Sequence, residues 1–220
     1  MSFSDELRRE AEPIWNAQHE HLFVRGIGDG TLSEQKFRHF LRQDYLFLVD
    51  YARLLALACA RAPSLAAMQR LAELAQAVLG EEMELHRTAA AAWGIAPEEL
   101  ERERPTRTTR AYTDFLLRTA ALGDFAELVA ALLPCMWGYS ELGRRLAQAP
   151  RPADERYARW IDEYAGDDFA RLAEWCRELC DAAAAEGGPE TRKRMREAFL
   201  QSSRHELAFW EMAWREESPE

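Results

Sequence analysis

Apolar residues recur every three or four positions along almost the whole chain, and β-type alternation bounded by turns is nearly absent. The pattern predicts a first helix over about residues 3–24, ending before Gly26-Ile27-Gly28-Asp29-Gly30. Ser33 offers an N-cap for a long second helix reaching about Arg61, before Pro63, and Ser64 one for a third ending near Trp93-Gly94. Pro97-Glu98-Glu99 starts a short helical turn that Pro105 interrupts. Further helices are expected over about 107–121, 125–148, 154–164, 167–186 and 189–215, the last opened by Gly187-Gly188-Pro189. No fixed-period repeat is present, so the expectation is an all-α, compact bundle of seven or eight helices in one domain, 1–220.

Composition narrows this further. A chain of 220 residues that is 48% hydrophobic can bury one sizeable core. Its net charge of −10 argues against general nucleic-acid binding, which needs a basic footprint. The basic stretch Arg102 to Arg110 is broken by Glu103, Pro105 and threonines, and reads as a solvated loop. Apolar stretches stop short of the ~20 residues a membrane span needs. Cys176 and Cys180 sit one helical turn apart and no Cys-x-x-Cys is present. With no signal peptide apparent, reduced thiols in the cytoplasm are expected, with no metal.

Two acids stand out against this background. Asp44, Phe47 and Tyr51 fall at i, i+3 and i+7 and share a helical face that is apolar through Phe40, Leu48 and Leu55. Glu206 repeats the pattern in the last helix, with Phe209 and Trp210 one turn on. A carboxylate on an apolar stripe is costly to bury unless it meets a partner or a ligand. An arginine could satisfy either acid structurally. Two acids in matching aromatic settings favour a shared ring-binding cavity.

Cys135 lies in Pro134-Cys135-Met136-Trp137-Gly138-Tyr139, with Tyr139 one turn further on the same face. If a helix restarts at Pro134, its free amides and dipole favour the thiolate; if Pro134 only kinks a continuous helix, that help is smaller. Cys59, Cys176 and Cys180 read as core fillers, as do Trp15, Trp137 and Trp175. Tyr112 and Tyr164 can join a site, though each taken singly reads as packing. Glu82 and His86 are spaced i, i+4, which reads as a surface hydrogen bond or, with His205, as a metal pair.

The ordered set resembles one known family, the TenA proteins, also called thiaminase II or aminopyrimidine aminohydrolase. Trp15 to His21 with Asp29-Gly30-Thr31-Leu32, Gln43-Asp44-Tyr45 with Tyr51-Ala52-Arg53, the Cys135 segment, Tyr164 with Phe169, and Glu206 with Phe209-Trp210 carry the resemblance. It implies a heme-oxygenase-like helical fold that binds no heme, assembled as a homotetramer. It implies hydrolysis of 4-amino-5-aminomethyl-2-methylpyrimidine, or thiamin, to 4-amino-5-hydroxymethyl-2-methylpyrimidine in thiamin salvage. Residue by residue, Cys135 matches the nucleophile, Glu206 the general acid and base, and Asp44 the group holding the ring's amino group and a ring nitrogen. Tyr112, Tyr139, Tyr164 and Phe209 would shape the pocket. Phe47 departs from the tyrosine that many members carry there.

The implied chemistry needs no cofactor. Thiolate addition to an unsubstituted ring carbon lets electrons expel the amine from the exocyclic methylene, and two carboxyls in different protonation states manage the protons. Two other readings use the same residues: an oxidase built on Glu82, His86 and His205, and a non-catalytic pyrimidine-binding or regulatory protein.

Overall fold

The helical periodicity is realised, in a computed structural model that describes residues 1–219 apart from the side chains of Glu81 and Leu85, as twelve α-helices and one π-helical turn. They are α1 (Phe3–Glu10), α2 (Glu12–His19), α3 (Leu22–Asp29), α4 (Glu34–Arg61), α5 (Leu65–Ala77), the π turn (Val78–Glu82) and α6 (Met83–Ala92). Then follow α7 (Pro97–Arg102), α8 (Arg107–Leu122), α9 (Phe125–Leu146), α10 (Glu155–Ala165), α11 (Asp167–Glu186) and α12 (Pro189–Arg215). Among the described residues the β pairing is a single bridge, Thr106 with Pro219. No helix among them is long and apolar enough to cross a membrane.

The count exceeds the expected seven or eight because the first predicted helix is three, the third is divided by the π turn into α5 and α6, and the turn opened by Pro97 forms α7. Pro13 in the first turn of α2 has no N–H to continue the helix from α1. At the second break His21 is extended and its ring nitrogen accepts the Phe23 N–H at 3.2 Å, capping α3. Histidine is outside the usual capping set, so the pattern gave no warning.

The described residues fall into two compact units. One comprises Met1–Ser33 and Ala126–Glu211, the other Glu34–Phe125 and Met212–Glu220. In the first unit Trp15, fully buried, stacks on Phe199 at 6.0 Å and donates its indole N–H to Ser203 Oγ at 3.0 Å. That pairing ties α2 to α12. Asp181 does the same between α11 and α1, accepting from the Ser4 amide at 2.6 Å and the Ser4 hydroxyl at 3.0 Å. Gly30 ends α3 at φ 74°, a conformation that favours glycine. Leu32 just beyond it accepts from the Tyr157 hydroxyl at 2.8 Å, which docks α10.

In the second unit α4 is the spine. Its apolar residues, among them Phe40, Leu48, Leu54 and Leu55, are almost wholly buried, each worth about 1.5–3 kcal/mol of burial. Gln43, also fully buried, holds the start of α8 on it: Oε1 accepts from the Thr106 amide at 2.9 Å and the Thr109 hydroxyl at 2.8 Å, and Nε2 donates to the Arg104 carbonyl at 3.0 Å.

Candidate active site

The expected site residues divide between the two units: Asp44, Phe47, Tyr51 and Tyr112 fall in one, Cys135, Tyr139, Tyr164, Glu206 and Phe209 in the other. In the second unit, Asp44, Phe47 and Tyr51 follow one another along the buried face of α4, as the i, i+3, i+7 spacing predicts. Phe47 stacks on Tyr51 at 5.6 Å and meets Tyr112 of α8 at 5.0 Å. Tyr112 is in place because Gln43 and the Thr106 cap fix the first turn of α8. Asp44 Oδ2 lies 3.6 Å from Nδ1 of His86, which reaches in from α6. The expectation of a surface hydrogen bond for His86 is thus overturned: the ring is buried, and its Nε2 donates to the Leu41 carbonyl at 2.7 Å. Burial pushes its pKa down to about 4, with the Leu41 bond opposing, so the ring is neutral near pH 7.

In the first unit, α9 carries Cys135 and, one turn later, Tyr139. Helix α9 runs unbroken through Pro134, so of the two alternatives the helix does not restart there. The thiol therefore gains nothing from an N-terminus of its own helix. Cys135 is half-buried, while the ring of Tyr139 is buried against Tyr164 at 4.9 Å, Trp210 at 5.3 Å and Trp160 at 6.2 Å. Tyr164 also meets Phe169 edge-on at 5.1 Å. Glu206 and Phe209 lie one turn apart on α12, both buried. Trp160 and Trp210 complete the ring cluster. The sequence showed them only as neighbours of Tyr164 and Glu206.

The other cysteines divide. Cys176 and Cys180 are buried as expected, and burial raises the Cys180 thiol far above its ordinary value, helped by Asp181 and Cys176. Cys59 is only part-buried and its thiol faces the Met68 carbonyl at 3.3 Å, so it is no core filler. Trp137 and Trp175 are likewise only part-buried, unlike Trp15. His205 is engaged with Gln201 at 3.0 Å. Among the described residues no group of three or more His, Cys, Asp or Glu side chains is placed to hold a metal ion. A cavity of about 400 Å³ in the first unit lies beside Trp137, Ser140, Glu141 and Arg144, the face of α9 opposite Cys135 and Tyr139, so it is separate from the ring cluster.

Comparison with known proteins bears on the fold and the family. The aminopyrimidine aminohydrolase of Halalkalibacterium halodurans is 43% identical over 217 residues, 98% of this chain and 97% of that protein. The structure of a TenA homologue from P. horikoshii OT3 superposes with a TM-score of 0.92 at 34% identity, covering 98% of this chain and 99% of that one. A Shewanella denitrificans domain described as having a heme oxygenase-like fold matches at a TM-score of 0.76 and 15% identity, covering 96% of this chain and 92% of that domain. The all-α architecture is therefore of the heme-oxygenase-like type. The model of the TENA/THI-4/PQQC family matches residues 8–216, nearly all of the sequence from α1 to α12, and the chain belongs to that family.

Proposed function

We propose that this protein is an aminopyrimidine aminohydrolase of thiamin salvage, releasing ammonia from 4-amino-5-aminomethyl-2-methylpyrimidine to leave the hydroxymethyl product. The observation that carries the reading is 43% identity, over 98% of the chain, to a protein of that activity. Two buried acids support it, Asp44 one turn before Phe47 on α4 and Glu206 one turn before Phe209 and Trp210 on α12: such settings suit a flat heterocycle bearing hydrogen-bonding groups on its edge.

In this reading the thiolate of Cys135 adds to the unsubstituted ring carbon, and a proton passes from Asp44 to a ring nitrogen. The electrons of the dearomatised ring expel the amine from the methylene, and Glu206 protonates it as it leaves. Water then adds to the exposed methylene, returning a proton to Glu206. Expulsion of sulfur restores the aromatic ring, and the ring-nitrogen proton returns to Asp44. Phe47, Tyr51, Tyr112, Tyr139, Tyr164 and Phe209 hold the ring in register for attack. A cytoplasmic location and a homotetrameric assembly belong to the same proposal.

Ammonia release from the aminomethylpyrimidine, with thiamin assayed in parallel, tests the reading. Turnover of the aminopyrimidine is expected. Pyrimidine binding without ammonia release would make this a binding protein instead.

A further inference from the structure

The side chain of Asp44 faces a histidine whose hydrogen bonding is fixed from the far side. The Leu41 carbonyl can only accept, so the 2.7 Å contact places the proton of the neutral imidazole on Nε2. Nδ1 then carries a lone pair, and it is this nitrogen that lies 3.6 Å from Asp44 Oδ2, with both side chains buried. A carboxylate there would set lone pair against lone pair in a region of low dielectric. One proton on Oδ2 turns that contact into a hydrogen bond after a closure of about 0.8 Å, to O–H···N range.

The substrate edge makes the same demand. An amino group beside a ring nitrogen presents one donor and one acceptor, and a carboxyl pairs with both only if one proton lies between carboxyl and ring. We infer that His86 is a positioning residue for Asp44: in the free protein its Nδ1 accepts the proton of the Asp44 carboxyl, fixing that acid's orientation and holding there the proton that turns to the ring nitrogen once substrate is bound. When the ring takes the proton, Asp44 becomes a carboxylate paired to a protonated ring. When sulfur leaves, the proton returns to Oδ2. No oxidant or further acid is consumed. Asp44 and Tyr45 on α4 face His86, and Glu82 one turn earlier and Arg87 beside it share its helical run; Arg87 hydrogen-bonds Tyr45. The inference rests on the aminopyrimidine reading for its substrate, while the proton's location is a property of the free protein.

Two measurements test it. In the first, labelled protein is examined by nuclear magnetic resonance at pH 7. The expected result is a protonated carboxyl carbon shift for Asp44, with His86 bearing hydrogen on Nε2 alone. A carboxylate shift for Asp44, or hydrogen on both His86 nitrogens, overturns the inference. In the second, two variants separate the ends of the ring. The amide of His86→Gln reaches about where Nε2 stands and keeps the Leu41 bond, whereas that of His86→Asn stands near Nδ1 and keeps a polar atom facing Asp44.

His86→Gln is expected to retain the melting temperature yet lose roughly 10–100-fold in kcat/KM, as second-layer partners do. His86→Asn should recover part of that loss despite lower stability. Equal activity of His86→Gln and the wild type would refute the role. If the wild type releases no ammonia, the reaction reading falls, and the resonance shifts still decide the pair.

Discussion

Gly143 of α9 approaches α10 so closely that a Cβ on it would lie 2.5 Å from the carbonyl carbon of Tyr164 and 2.7 Å from the Ala165 nitrogen. These neighbours are backbone and cannot swing aside. The rings of Tyr139, one turn before Gly143 on α9, and of Tyr164 on α10 lie 4.9 Å apart beside this contact. Gly143→Ala must therefore force the two helices apart, at about 2–3 kcal/mol. A melting temperature lower by roughly 4–12 °C is expected for a chain of this size. The displaced Tyr164 should also raise KM more than it lowers kcat. A variant that melts with the wild type would show that α9 and α10 yield freely.

Gln43 stands to the second ring cluster as Gly143 does to the first. Gln43→Leu removes three hydrogen bonds at once and leaves the Thr106 amide, the Thr109 hydroxyl and the Arg104 carbonyl to find new partners. Stranded buried groups cost about 1–3 kcal/mol each before relaxation. The start of α8 should loosen and Tyr112 lose its place against Phe47. Hydrogen exchange at the amides of 106–113 should quicken by at least ~10-fold, a change of about 1.4 kcal/mol in opening. Unchanged protection would mean that the Thr106 cap alone holds α8.

Cys135→Ser is expected to abolish ammonia release while leaving pyrimidine binding and the circular dichroism spectrum intact. An alcohol at that position lacks the acidity and softness that make a thiolate add to a ring. Undiminished turnover would reject covalent addition. Glu206→Gln should lower kcat by ~10²–10⁴-fold with a small change in KM. Loss confined to KM would make Glu206 a binding group.

The fold was legible because amphipathic periodicity and Gly/Pro punctuation act locally. The long helices α4, α8, α11 and α12 begin and end within two residues of where the pattern places them. What was hidden depended on partners distant in sequence or on unusual local chemistry. The cap at His21 uses a residue type seldom read as a cap, and the π turn at Val78–Glu82 leaves the apolar period nearly intact. Asp44, Phe47 and Tyr51 were legible as one face. His86 was not, because its i, i+4 neighbour Glu82 suggested a surface pair, whereas the Leu41 carbonyl that engages it lies 45 positions earlier. Pro134 was ambiguous for a related reason: only the surrounding packing decides whether a proline ends a helix or is carried within one.

Proton linkage gives a last expectation that reads the Asp44–His86 pair through stability. Burial lowers the pKa of His86 to about 4, against an ordinary 6.5, so between those values the unfolded chain binds a proton on this ring that the native ring refuses. Taken alone, that makes stability fall as pH drops from about 6.5 toward 4, by up to ~3 kcal/mol. A protonated Asp44 reverses the balance over the same window, since the native acid then holds one proton that the unfolded acid has largely released. The pair sums to nearly no slope. Asp44→Asn keeps an amide N–H facing Nδ1 but has no titrating proton, so it should uncover the histidine alone. Its unfolding free energy from urea titrations should fall by ~1.4 kcal/mol more per pH unit than that of the wild type, toward pH 4.5. His19, His39 and His205, all lowered chiefly by burial, add acid sensitivity of the same sign to both proteins, while the raised Glu163 opposes it in both. These shared contributions cancel in the comparison. Equal slopes for the two proteins would mean that Asp44 is ionised when it faces His86.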